Sequence, residues 1–394
     1  MSQKIIVIGG GIAGLAAAEA AKKQDPDSEL ILFSAEEDLP YYRLRVAEVL
    51  RDQEQEDKLF LHPADWYEEK GIQTVLGETL QEIKMEDKEV VFDSGRRENY
   101  DKLILTTGSR SRFIDFAGAN RPQVFTLWTL EDARKFSEAI ASQGLQSCAI
   151  VGGGVLGMET AWQLEQRGLK ISLLERGEKL MSRQLSDASA EVVQNYIESL
   201  GIDVYTDADT AEILGEAENG KVTGLLLKDG RQIDCDAVLL AVGVLANTEA
   251  AEDAGLEIGR RIKVDTHMQS SEADIFAAGD VVEVDDGYWF GLWSISMAEG
   301  KVAGDNAAGG QSTFKKVIPA YMVNTLGTRI VSQGDFPSEE EEAVRVEKVS
   351  GGADDPYAYK ECYYRNDELV GFQLIGTPAK KEMVKLQGEL KHEG

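Results

Sequence analysis

Twice in these 394 residues a glycine run follows a short apolar segment, as Gly9-Gly10-Gly11-Ile12-Ala13-Gly14 and again as Gly152-Gly153-Gly154-Val155-Leu156-Gly157. The spacing G-x-G-x-x-G suits the pyrophosphate of a dinucleotide. Gly9 permits the tight turn, Gly11 lets the phosphates approach the backbone, and Gly14 lets the following helix pack close to its strand. About twenty residues after each run stands a carboxylate, Glu36 and Glu175, suited to accept hydrogen bonds from ribose hydroxyls. The three cysteines, Cys148, Cys235 and Cys362, have neither Cys-x-x-Cys redox spacing nor a zinc pattern, and they are one short of the four that usually hold an iron–sulfur cluster. Redox chemistry on this chain must therefore use a bound cofactor.

The elements that position these groups are legible around them. Ile5, Ile6, Val7 and Ile8 read as a strand buried on both faces, and the Ala-rich segment after Gly14 reads as a helix. Leu30-Ile31-Leu32-Phe33 is the strand that leads to Glu36. Residues 72–108 read as short strands, with Val90-Val91-Phe92, a turn at Gly95-Arg96, and a last strand that ends in Thr107-Gly108. The same order then returns: Cys148-Ala149-Ile150-Val151, the second glycine run, a helix over 158–167, Ile171-Ser172-Leu173-Leu174, Gly230-Arg231, and a strand ending in Gly243. This internal repeat predicts two dinucleotides on one chain, which suggests a flavin and a nicotinamide with hydride passing between them. The expected fold is α/β, with two Rossmann-like dinucleotide-binding domains and a small α+β C-terminal domain. That last domain is predicted over 313–394, with a hairpin of 359–364 and 369–375 around Asn366-Asp367-Glu368.

Charge narrows the partners. Lysine and arginine number 41 against 70 aspartates and glutamates, a formal charge of −29, which argues against nucleic acid and anionic membranes. The uncharged run over 5–18 is too short to span a bilayer, and no positively charged segment followed by an apolar one precedes it. The expected location is the cytoplasm. The acidic run at 339–342 reads as a solvated loop.

The two fingerprints, Thr106-Thr107-Gly108, Ala241-Val242-Gly243 and above all Ile275-Phe276-Ala277-Ala278-Gly279-Asp280 resemble the pyridine nucleotide–disulfide oxidoreductase superfamily, with the glutathione reductase fold. The resemblance covers about residues 4–310. It implies that the first fingerprint binds FAD and the second NADH, with an FAD domain over 1–112 and 245–312 and an NAD domain over 113–244. The FAD set it implies is Gly9, Gly11, Ile12, Ala13, Gly14, Glu36, Arg43, Leu80, Thr107, Gly108, Asp280, Leu292 and Trp293, with Asp280 on the ribityl hydroxyls and Arg43 on the diphosphate. The NAD set is Gly152, Gly154, Leu156, Gly157, Glu159, Glu175 and Gly243, with Asn247 in the same loop as Gly243. Glu175 stands where the 2′-phosphate of NADPH would sit, which favours NADH; Arg176 beside it leaves a minor NADPH activity open. Glu159 is matched by a glutamate near the flavin and nicotinamide rings. A helix over 294–304 would point its N-terminus at the flavin pyrimidine ring, and Asn324 and Thr325 would lie near the flavin.

Within that superfamily the disulfide branches carry cysteine early in the FAD domain, whereas residues 36–60 here contain none. Leu39-Pro40-Tyr41-Tyr42-Arg43 followed by Arg45 is most similar to clostridial-type NADH–rubredoxin reductases; Glu48 stands where many relatives place a lysine. The resemblance thus implies an NADH-dependent FAD oxidoreductase that reduces a small acidic carrier protein such as rubredoxin or ferredoxin. No side chain is required as acid or base. The alternatives are a flavoprotein that reduces a small molecule such as nitrite or oxygen, and a non-enzymatic NADH sensor; the chain could be a monomer or a homodimer. An acidic carrier would need a local basic patch, for which Arg110, Arg112, Lys315, Lys316, Lys380 and Lys381 are the candidates, with Arg112 and Lys316 foremost.

Overall fold

The computed structural model describes residues 2–390 apart from 218, 219, 286 and 325. Thr325 therefore lies outside the described residues. Two parallel five-stranded sheets form the frame. The first runs Ile275–Ala277, Lys102–Leu105, Lys4–Ile8, Glu29–Phe33, Ile72–Val75. The second runs Val124–Thr126, Ala237–Leu240, Ser147–Val151, Lys170–Leu174, Asp203–Tyr205. In both, the fingerprint strand lies between the acid-bearing strand and the glycine-ended strand, so the repeat read in sequence is a repeat in space. The outer strand beside the glycine-ended strand differs in origin: in the first sheet it arrives from late in the chain, in the second from just before the fingerprint.

Each fingerprint strand is apolar along its length because both faces of its sheet are covered: in the second sheet Cys148 and Ile150 pack with the helix residues Met158, Ala161 and Leu164, and Ala149 and Val151 pack with Ile213, Leu225 and Ile233. Ile5, Ile6 and Val7 are fully buried, as is Ile150. The helices Ile12–Gln24 and Val155–Gln166 follow the two fingerprints directly. Gly9 sits at φ 124° and Gly152 at φ 121°, where a side chain is strained; a Cβ on Gly9 would also lie 2.0 Å from the Thr106 carbonyl oxygen. The fingerprint turn thus presses on the strand that ends in Thr107-Gly108.

The chain leaves the first sheet through Ser109–Ser111 and returns from the second through Val244–Ala246, and these two crossovers pair antiparallel. Asn247 locks them to the first sheet: its amide donates to the Thr107 carbonyl at 2.8 Å, and its carbonyl accepts from the Thr107 hydroxyl at 2.8 Å. Two antiparallel meanders extend the frame, Leu80–Lys84 with Glu89–Phe92 and Arg97–Asn99, and Thr210–Gly215 with Val222–Leu227 and Gln232–Asp234.

The C-terminal region forms a five-stranded antiparallel sheet in the order Ala320–Val323, Ile330–Gly334, Glu368–Ile375, Tyr359–Arg365, Val344–Ser350. Its hairpin turns through Asn366 and Asp367, both at positive φ, as a tight two-residue turn demands. Val323, Leu326, Ile330, Tyr359 and Ile375 of this region share one core with the second sheet and with Val46, Val49 and Leu50.

Candidate functional site

A cleft of about 480 Å³ opens where the first fingerprint, the crossovers and the second fingerprint helix meet. Gly9, Gly11, Ile12, Ala13, Glu36, Arg43, Thr107, Gly108, Asp280 and Trp293 of the expected FAD set line it. Leu156 and Glu159 of the expected NAD set line the same cleft. Gly14, Leu80 and Leu292 are not among its lining residues: Gly14 is buried under the turn, Leu80 packs against the first core, and Leu292 immediately precedes the helix Trp293–Ala307. Gly152, Gly154, Gly157, Glu175 and Gly243 also lie outside it, around the second fingerprint turn.

Three helices begin on this cleft, Ile12–Gln24, Val155–Gln166 and Trp293–Ala307. None of the three is capped by a side chain and none carries an acid in its first turn. Their first-turn N–H groups and partial positive charge are thus left open to the cleft. The contrast is Leu130–Gln143, whose start is closed by a capping box between Thr129 and Asp132. An uncapped glycine turn, a helix start and a cleft of this size fit the diphosphate of a dinucleotide. Ser109 Oγ donates to Asp280 Oδ2 at 2.8 Å, which holds that carboxylate at the cleft wall beside Ser296.

The two terminal acids are held differently. Glu36 accepts from the Tyr41 hydroxyl at 2.6 Å and from Arg43 at 2.5 Å. Arg43 also donates to the Trp128 carbonyl at 2.7 Å, so its guanidinium bridges Glu36 and Trp128 at the cleft wall. Burial pulls the Arg43 guanidinium down, but Tyr41 and Glu36 outweigh it and hold the group above its ordinary value. Burial, with Glu36 beside it, pushes the Tyr41 phenol far up. Glu175 instead accepts two main-chain bonds, from Gly153 N at 2.9 Å and Gly177 N at 2.7 Å, so its carboxylate lies over the second fingerprint turn. A phosphate brought to that turn would meet a carboxylate held in place by two main-chain bonds.

Sequence reading missed Trp128, which lines the cleft and donates through its indole N–H to the Ser109 carbonyl at 2.6 Å. The signal that marks its place is Thr129 followed by Asp132, a helix start with the indole one residue before it. Tyr42 stacks on Trp293 with ring centres 5.5 Å apart.

The three cysteines are buried, and burial pushes their thiols up, Cys148 well above its ordinary value, Cys235 to about 12 and Cys362 to about 11. Such thiols are poor nucleophiles. Of the basic groups expected to greet a carrier, Arg110 pairs with Glu249 at 2.6 Å and Lys316 with Asp285 at 3.2 Å. Arg45 likewise pairs with Glu48 at 2.8 Å.

The profile of the pyridine nucleotide-disulphide oxidoreductase family matches residues 3–300. The NADH-rubredoxin oxidoreductase of Clostridium acetobutylicum is 32% identical over 96% of this chain and 94% of its own length. A crystal structure of NADH:rubredoxin oxidoreductase from that organism has a TM-score of 0.80 and 28% identity, covering 99% of this chain and 95% of that one. The assimilatory nitrate reductase electron transfer subunit of Bacillus subtilis is 28% identical over 96% of this chain, and the nitrite reductase [NAD(P)H] of the same organism is 30% identical over 95%. The chain spans about half the length of these two Bacillus relatives, 48% and 46%.

Proposed function

We propose that this chain, which belongs to the pyridine nucleotide-disulphide oxidoreductase family, oxidises NADH through a bound FAD and passes the electrons to a small carrier protein, with rubredoxin the first choice. FAD supplies the step from a two-electron hydride donor to a one-electron acceptor. The observation that carries the reading is the single cleft onto which three uncapped helix starts converge, two of them belonging to the two fingerprints. Gly11 and the Ile12 helix start would hold the flavin diphosphate, Asp280 the ribityl hydroxyls, and the Trp293 helix start the pyrimidine end of the ring. Leu156 and Glu159 would bring the nicotinamide against the same ring, while Glu175 selects the unphosphorylated ribose. On this reading the FAD domain is 1–112 with 245–312, the NAD domain 113–244 and the interface domain 313–394. The buried thiols support an electron path that uses no cysteine.

No helix among the described residues is long and apolar enough to cross a membrane; with the charge of −29, this accords with an assignment to the cytoplasm. A second reading rests on the Bacillus relatives of about twice the length: the chain, or a longer protein containing it, serves nitrite or nitrate reduction. Stopped-flow mixing with NADH, then with rubredoxin, ferredoxin, nitrite or oxygen, separates these. Rapid flavin bleaching followed by reoxidation fastest with rubredoxin is expected. Reoxidation no faster with any carrier than with oxygen would overturn the carrier reading, and absence of bleaching would leave only a sensor.

A further inference from the structure

The turn that presents Asp280 is held from behind by two buried ionisable side chains that no step of the proposed reaction uses. Glu299, on the inner face of the helix Trp293–Ala307, is 3% exposed and accepts from Gly279 N at 2.9 Å. Arg261, 8% exposed and just before the strand Ile262–Val264, donates to the main-chain carbonyl of Asp280. Its guanidinium carbon lies 3.5 Å from the centre of the Trp289 ring. The peptide N–H before Asp280 and the carbonyl after its Cα are therefore each fixed by a side chain from a different element. The Asp280 carboxylate meanwhile faces the cleft and Ser109.

Burying a carboxyl and a guanidinium is costly unless each finds strong partners. Here each is directed at main chain of one turn rather than at the other. Gly279 stands at φ 83°, and a Cβ there would lie 2.8 Å from that of Ala13 in the first fingerprint helix. The turn is thus wedged against the fingerprint, and a small displacement would shift Asp280 and the fingerprint helix together.

We propose that Glu299, Arg261 and Trp289 are positioning residues, a clamp that sets the place of the Asp280 carboxylate and thereby the grip of the cleft on the flavin ribityl chain. The proposal rests on the flavin reading of the cleft, and it goes beyond that reading by naming residues that touch no cofactor. Its geometry makes the acceptor atom, rather than the negative charge, the requirement at position 299. An amide oxygen in place of the carboxylate keeps the bond to Gly279 N.

The test uses apoprotein titrated with FAD, followed by quenching of flavin fluorescence, with the visible spectrum of the bound flavin as a second readout. Glu299→Gln is expected to bind FAD within about threefold of the parent. Glu299→Ala should weaken it by about tenfold or more, the size of a lost buried acceptor, and broaden the flavin band. Arg261→Leu should weaken FAD binding to a similar degree while NADH binding, followed by tryptophan quenching, is kept. Equal affinity for FAD in parent and Glu299→Ala would overturn the clamp, as would a Glu299→Gln variant as weak as Glu299→Ala. Should Glu299→Ala fail to fold, Glu299→Gln and Arg261→Leu decide the matter by the same titration. If the parent apoprotein itself takes up no FAD, the flavin reading fails rather than the clamp.

Discussion

Glu175 and Glu36 occupy equivalent places in the two halves, yet only Glu175 is tied to the main chain of its own fingerprint. That anchoring makes it a rigid source of negative charge, so Glu175→Ala should cut the NADH to NADPH ratio in kcat/KM by at least about tenfold, on the order of 1–3 kcal/mol. An unchanged ratio would remove it as the selector. Glu299 supplies a second test at the same scale. Burial is the main cause of its carboxyl's rise from an ordinary 4.5 to about 8; the Gly279 N–H opposes that rise, Asp280 adds to it, and Arg261 opposes it. Because the folded value is raised, the stabilisation belongs to the neutral form: it is complete below about pH 4.5 and is lost as pH climbs toward 8. Within that window stability should fall by up to about 1.4 kcal/mol per pH unit from this group. Glu299→Gln, which cannot titrate, should show a shallower decline between pH 5.5 and 8 in denaturant unfolding; parallel curves for the two proteins would refute this.

At the scale of elements, the helix pair Ile12–Gln24 and Trp293–Ala307 joins the fingerprint to the helix start beneath Trp293. Gly300 and Gly304 make the approach feasible: a Cβ on either would lie 2.2 Å and 2.0 Å from the carbonyl oxygens of Ala13 and Ala17. Main chain cannot step aside as a side chain can, so Gly300→Ala should destabilise by about 1–3 kcal/mol through overpacking. It should also loosen the cleft, since the fingerprint helix must shift. Gly388 in the helix Met383–Glu389 is the contrast, with nothing within 4 Å of a Cβ. Gly388→Ala should stabilise, by about 0.5–1 kcal/mol, as alanine does in an exposed helix. Thermal melts of both variants measure this, and equal melting temperatures would contradict the close-packing argument.

For the whole molecule, charge would govern how the proposed carrier is met. Acidic residues outnumber basic ones 70 to 41, and two of the basic groups near the crossovers and the Trp289 loop, Arg110 and Lys316, are already paired with Glu249 and Asp285. Paired cations steer weakly, so long-range repulsion from a charge of −29 should dominate the encounter with an acidic carrier. The bimolecular rate of carrier reduction is therefore expected to rise with added salt as the screening length shrinks toward about 8–10 Å, while reduction of the flavin by NADH changes little. A carrier rate that falls with salt would mean that Arg112 and the remaining lysines form an effective basic rim despite these pairings, as the sequence alone suggests.

What the sequence determined by itself was everything carried by local pattern: the two fingerprints, their terminal acids, the turns at Gly95-Arg96 and Gly230-Arg231, the C-terminal hairpin and the repeat that joins them. Each of these depends on residues within a few tens of positions, where spacing alone fixes backbone geometry. Tertiary structure decided the rest. Trp128 reaches Ser109, and Ser109 reaches Asp280 across 171 positions, only because paired crossovers fold the chain back on itself. Arg43 turns to Glu36, and Arg110 to Glu249 at a separation of 139, because a cation's partner is whichever carboxylate the packed fold brings within reach. The burial of Glu299 against Gly279 likewise follows from the helix Trp293–Ala307 closing on the helix Ile12–Gln24, a contact that no local pattern encodes.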